Sequence, residues 1–106
     1  MSFKIIMIVL VFLNPAETEA FNTYVTGIRA QYEKVGAKAV RHDVDQMLVG
    51  EQQPDFVMVV EFPNPQAVQQ LFSSMEYQQL VPDREKAFKK LEVFLSQKQW
   101  RKYFLS

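Results

Sequence analysis

Phe56-Val57-Met58-Val59-Val60-Glu61-Phe62, closed by Asn64-Pro65, repeats a pattern that the chain has already used. The earlier copy is Phe3-Lys4-Ile5-Ile6-Met7-Ile8-Val9-Leu10-Val11-Phe12-Leu13, closed by Asn14-Pro15. Each apolar, strand-like run leads through an Asn-Pro step into a helix-like stretch. Asn is a good N-cap because its side-chain oxygen accepts from a free amide of the first turn. Proline suits the first helical position, where its φ is preset and its missing N–H would have no partner. Strand, cap and helix are thus spelled twice, which predicts two similar halves and a βαβ–βαβ plan.

Outward from these anchors, Asn14-x-x-Glu17 has the form of a capping box. Phe21, Tyr24, Val25, Ile28 and Tyr32 follow at helical spacing, and Val35-Gly36 supplies a stop. Over residues 37–49 the period falls to two, with Val40, His42, Val44 and Leu48 on one side and Arg41, Asp43, Asp45 and Met47 on the other. This predicts a second strand with a polar face and room for a bulge, ahead of a polar loop holding Pro54. In the third strand Phe56, Met58, Val60 and Phe62 share a face, with Val57, Val59 and Glu61 opposite. Val68, Leu71, Phe72 and Met75 form the buried stripe of the next helix. A further helical segment carries Tyr77, Leu80 and Val81, is interrupted or kinked at Pro82, and resumes through Arg84 and Phe88. Leu91, Val93 and Leu95 alternate as a short fourth strand.

The order β-α-β-β-α-β predicts an α+β, ferredoxin-like fold: a four-stranded antiparallel sheet with helices on one face. Its 106 residues make one domain, read here as residues 1–96, with residues 97–106 a C-terminal extension. That extension, with Trp100, Tyr103 and Phe104 beside basic residues, reads as a last helical turn or two serving core or dimer clamp. The first strand is apolar on both faces, yet helices cover only one. At about 25 cal/mol per Å² of apolar surface, leaving the other face wet forgoes several kcal/mol, so a homodimer packed sheet against sheet is expected.

Composition narrows the partners. Lys+Arg 12 balance Asp+Glu 12, which removes the electrostatic argument for nucleic acid, and the strands show no ribonucleoprotein aromatic motif. Residues 5–13 form a run too short to span a bilayer, and Thr18-Glu19-Ala20 is a poor signal-cleavage site, so a central strand is preferred to a secretory leader. With no cysteine there is no disulfide or thiolate ligand, and a cytoplasmic setting is the default expectation.

The third-strand run Phe56–Phe62 with Pro63, then Ser74-Met75-Glu76-Tyr77-Gln78-Gln79-Leu80 and Arg84, resembles the domain-of-unknown-function 1330 family. More loosely, so do the Asn14-Pro15 helix, Tyr24 and Gly36-Ala37-Lys38-Ala39-Val40-Arg41. The resemblance extends over most of the chain, from about residue 3 to residue 95. It departs at Met75, where the family usually has proline, and in residues 42–53, which lack the usual glycine-containing turn. Membership implies a dimeric α+β barrel of ferredoxin-like subunits. The wider group includes small monooxygenases, haem-degrading enzymes and muconolactone isomerases, many of which bind a small organic molecule between sheet and helices. The family itself implies no settled activity.

The candidate chemistry is sparse. His42 is the only histidine, so any near-neutral general base must be His42. Its bland alternative is a strand histidine with a local hydrogen bond. Glu61, on an otherwise apolar strand, is either a proton acceptor raised by desolvation or the ion-pair partner of Arg84 or Arg41. Tyr77 and Arg84, two helical turns apart, would either orient an anionic substrate together with Arg41 or act structurally. Asp43 and Asp45 form a solvated edge in preference to a cation site. No metal or tightly held cofactor is expected. Two functions stay open: proton-transfer chemistry of monooxygenase or isomerase type through His42 and Glu61, or a ligand-binding or dimerisation module without turnover.

Overall fold

A computed structural model describes residues 4–97. Four strands and three helices follow one another as β1 (Ile5–Leu13), α1 (Thr18–Val35), β2 (Lys38–Asp43), β3 (Phe56–Phe62), α2 (Pro65–Ser73), α3 (Met75–Ala87) and β4 (Phe88–Gln97). The sheet order is β2-β3-β1-β4, and each neighbouring pair is antiparallel. This is the ferredoxin-like arrangement, with β3 inserted between the first two strands of the split βαβ unit.

Register decides which side chains meet. The rungs Ala39–Val60–Met7–Leu95 and Arg41–Met58–Val9–Val93 face the helices, and Ile5, Met7, Val9, Val11, Phe56, Val60 and Phe62 are buried there. The intervening rung Val40–Val59–Ile8–Phe94 lies on the other face, apolar across all four strands. Val40 and Phe94 are 54% and 52% exposed, so the rung is only half covered within the chain. Phe12 is the exception on that face. It is 4% exposed, Lys90 Nζ stands 5.2 Å from its ring centre, and the β1–β4 register shifts beside it.

The two Asn-Pro steps behave differently. Asn64 caps α2 as expected: its side-chain oxygen accepts from the Ala67 amide at 2.8 Å, with Pro65 in the first helical position. Asn14 does not cap α1. Its amide donates to the Ala87 carbonyl at 2.9 Å, its side-chain oxygen accepts from Ala16, and the helix starts later, after Glu17, with no side-chain cap. That bond to the last residue of α3 holds the chain extended past Leu13, so helix entry is delayed. At the other end of α1, Gly36 takes φ 75°, and the Gly36 and Ala37 amides reach the Glu33 and Tyr32 carbonyls, closing a Schellman turn.

Three further expectations need correction. β2 ends at Asp43 and residues 44–55 form a loop, leaving Leu48 and Val49 85% and 95% exposed. The Asp55 carboxylate accepts from the Leu13 amide at 2.7 Å, and its amide donates to the Val11 carbonyl at 2.8 Å, which draws the loop back onto the end of β1. Met75 is 73% exposed and does not join the stripe of α2, because the chain turns at Ser74. α3 runs through Pro82 without interruption, and β4 begins directly at Phe88. The C-terminal extension, save Gln97 at the end of β4, lies outside the described residues.

Ser74 ends α2 and caps α3, its hydroxyl accepting from the Tyr77 amide at 3.1 Å. That places Met75 in the first helical position, which suits proline. Ser74 already has φ −69° and ψ 149°, the extended conformation a following proline demands. Met75→Pro is therefore expected to stabilise the fold by ~0.4–1 kcal/mol through the unfolded chain's lost freedom. Paired urea melts of the variant and parent measure this, and a lowered midpoint contradicts the assignment.

Candidate functional site

Between the helices and the sheet lies a cleft of about 930 Å³. Its floor is sheet: Val9, Val11, Met58 and Leu91 point into it. Its walls are aromatic and come from both halves of the chain. The Phe21 ring on α1 meets those of Phe56 and Phe88 edge-on at 6.3 and 6.1 Å, and Tyr24 meets Phe88 at 5.5 Å. Tyr32 packs against Phe62 at 6.3 Å, and Phe72 against Tyr77 at 4.9 Å. Such edge-to-face pairs fix ring orientation as well as burying area.

Polar groups are few and converge. Tyr77 is 4% exposed, and its hydroxyl oxygen accepts from Arg84 Nη1 at 2.7 Å. The seven-residue spacing on α3 brings the two side chains onto one face. Burial pushes the Tyr24 phenol far above its ordinary value; the Tyr77 and Tyr32 hydroxyls nearby push the same way, and Arg84 pulls it back only in part. Tyr32 is raised for the same leading reason, burial, with Tyr77 adding to it. Tyr24, Tyr32, Tyr77 and Arg84 thus place three phenols and a guanidinium along an apolar hollow.

The sequence candidates divide between the two faces of the sheet. Tyr77, Arg84 and Arg41 all line the cleft. Arg41 sits at the β2 edge with its guanidinium 3.9 Å from the centre of the Phe56 ring and its Nε 2.7 Å from Asp43 Oδ1. His42 and Glu61 lie across the sheet on the open face. His42 is exposed beside Val57, where strand alternation puts it opposite Arg41 and turns it away from the cleft. The Glu61 carboxylate meets Lys4 Nζ at 2.9 Å, while Arg84 and Arg41, its expected partners, bond to Tyr77 and Asp43. Tyr24 and Tyr32 were read from sequence only as part of a helical stripe. The recurrence of hydroxyl-bearing aromatics on that stripe is the signal that could have marked them, since a buried phenol seeks a partner for its O–H. Among the described residues, no group of three or more His, Cys, Asp or Glu could hold a metal ion, and no helix is long and apolar enough to cross a membrane.

Solved structures share this architecture. A protein of unknown function from Rhodopseudomonas palustris is similar at 25% identity and a TM-score of 0.79, over 91% of this chain and 82% of that one. A dimeric ferredoxin-like protein of unknown function from Thermobifida fusca aligns with a TM-score of 0.64 at 10% identity, over 92% of each chain. A dabb family protein with a ferredoxin-like fold from Mesorhizobium loti aligns with a TM-score of 0.64 at 12% identity, over 89% of this chain and 95% of that one. The comparison with curated proteins finds no match. Residues 7–97 match the family described as Domain of unknown function (DUF1330), spanning the sheet, the helices and the whole cleft, and the chain belongs to that family.

Proposed function

We propose that the protein is a homodimer whose subunits each bind a small organic molecule in the cleft between sheet and helices, without catalytic turnover. The cleft carries this reading. Its size falls in the range that accommodates a ligand of drug-like dimensions, and it combines apolar walls with a few convergent polar heads, the usual composition of a binding site. Tyr24 and Tyr32 stay protonated at neutral pH because burial disfavours the phenolate, so they serve as hydrogen-bond donors and not as bases. The two groups best suited to proton transfer, His42 and Glu61, stand behind the sheet from this cleft. Binding without proton transfer follows from that separation.

The homodimer rests on the open face. A continuous apolar rung, Val40–Val59–Ile8–Phe94, is bordered by the polar Lys38, Glu61, His42 and Glu92, the pattern of an apolar interface core with a charged rim. The similar Thermobifida fusca protein is described as dimeric. A second copy laid on the same face would remove Phe94 and Val40 from water.

Native mass spectrometry is expected to show two subunits and to retain a small molecule on mild ionisation. Phe94→Glu, at a half-exposed position, is expected to give a folded monomer by light scattering at micromolar concentration. A variant still dimeric, or a parent protein already monomeric, contradicts the interface. Tyrosine ionisation supplies a second check. A phenol whose folded value is raised contributes stability that is present below its ordinary value of 10.0 and is lost as pH climbs beyond it. In an alkaline titration followed by near-ultraviolet absorbance, Tyr24 and Tyr32 should ionise only as the far-ultraviolet circular dichroism collapses. Full tyrosine ionisation in a folded protein would show that these phenols are open to solvent.

A further inference from the structure

Charge inside the cleft indicates which class of molecule it takes. Arg29 and Glu33 sit exposed on α1 at the rim, and Arg41 is already matched by Asp43. Arg84 differs from them. It is half-buried, its guanidinium donates to a neutral phenol, and among the described residues no carboxylate lies within ion-pairing distance of it. A guanidinium withdrawn from water without a counter-charge is costly, and Arg is the side chain best shaped to take a planar carboxylate through two parallel N–H donors. Beside it stand the hydroxyls of Tyr77 and Tyr24, and around it stand rings set edge-to-face.

We propose that the cleft binds a planar, largely apolar monocarboxylate, with Arg84 as its counter-ion. Tyr77 and Tyr24 complete the donor set, and the ring or unsaturated body of the ligand lies against Phe21 and Phe88. A dianion such as a phosphate monoester fits less well, because one unmatched cation faces neutral phenols and apolar walls. Charge beyond one would be stranded in a medium that solvates it poorly. Arg84 is assigned as a binding residue. The assignment rests on the cleft being a ligand site at all, and the test keeps the two ideas apart.

The probes are 2-naphthoate and its neutral counterpart 2-naphthamide, titrated at neutral pH into the full chain and into Arg84→Gln, with binding read by calorimetry. The parent protein should bind the carboxylate about tenfold to a hundredfold more tightly than the amide, the range expected for a charge-assisted pair. Arg84→Gln should abolish that preference, bringing the carboxylate and amide affinities of the variant to within about twofold of one another. Equal affinity of the parent for both probes overturns the carboxylate assignment and leaves the cleft as a ligand site. A preference that survives Arg84→Gln overturns the role of Arg84. Failure of both probes to bind the folded parent overturns the cleft reading with it. The comparison between probes uses the unaltered protein, so it stands even if the variant does not fold.

Discussion

β1 is a central strand of a sheet that has helices on one side only, and its side chains are apolar on both. Met7, Val9 and Val11 point to the helices, while Ile6, Ile8 and Leu10 point away from them. Because strand alternation has a period of two, this single parity propagates through the ladder to every neighbour. Val59 and Phe94 fall beside Ile8, and Val40 beside Val59. By the same step Arg41 falls beside Met58 on the cleft side, and His42 beside Val57 on the open side. A one-residue slip of β2 would move Arg41 out of the cleft and put an arginine into the apolar rung. The requirement that buries β1 therefore also chooses which polar groups reach the cleft.

On the helix side, the corresponding constraint is the approach of α1 to α3. A Cβ at Gly27 would stand 2.5 Å from Leu80 Cδ2, so the two helices pack as closely as glycine allows at that crossing. Tyr24 precedes Gly27 by three residues, and Tyr77 precedes Leu80 by three. Each tyrosine lies one turn from the contact point, which is why the two phenols influence one another. Lys34 in the last turn of α1 bonds Glu76 in the first turn of α3 at 2.7 Å, setting opposite charges at opposite helix ends. The bond holds the Glu76 carboxyl below the usual carboxylate range, chiefly through the hydrogen bond from Lys34. With both side chains about half exposed, that pair guides helix register more than it stabilises the fold.

Legibility followed the locality of the signal. Strand–helix order, the faces of β3, the stop at Gly36 and the Asn64 cap depend on residues within a turn of one another, and the sequence carries them. Asn14-Pro15 looks the same as Asn64-Pro65 but fails as a cap, because a carbonyl more than seventy residues away, on Ala87, claims the Asn14 amide first. Val44 and Leu48 continue the alternation of β2 in sequence, but β3 begins only at Phe56, opposite Asp43, so the ladder stops there. Of the cleft lining, the seven-residue spacing of Tyr77 and Arg84 is the legible part, since it puts both side chains on one face of α3. Tyr24 and Tyr32 were hidden because an aromatic stripe at helical spacing is first of all a core signal. Apolar neighbours such as Val40 do not tell which side His42 takes, because the open face of this sheet is apolar too.

Pro82 adds a last link between fold and site. It lies inside α3 between Tyr77 and Arg84, and it leaves the Gln78 carbonyl without its helical donor. An interior proline costs a helix about 3 kcal/mol or more, so the middle of α3 is its weakest turn. The helix nevertheless continues to Ala87, and the hydrogen bond from Arg84 to Tyr77 spans that turn from the cleft side. The Gln78 side chain, which donates to the Phe72 carbonyl at 3.0 Å, ties the same turn back to α2. The contact that polarises the cleft is thus also a brace on the helix that carries it. A ligand that drew Arg84 away from Tyr77 would loosen α3 at Pro82, whereas one that bridged both would tighten it. Retaining the Arg84–Tyr77 bond and adding an acceptor to the remaining guanidinium donors is the arrangement that costs the helix least.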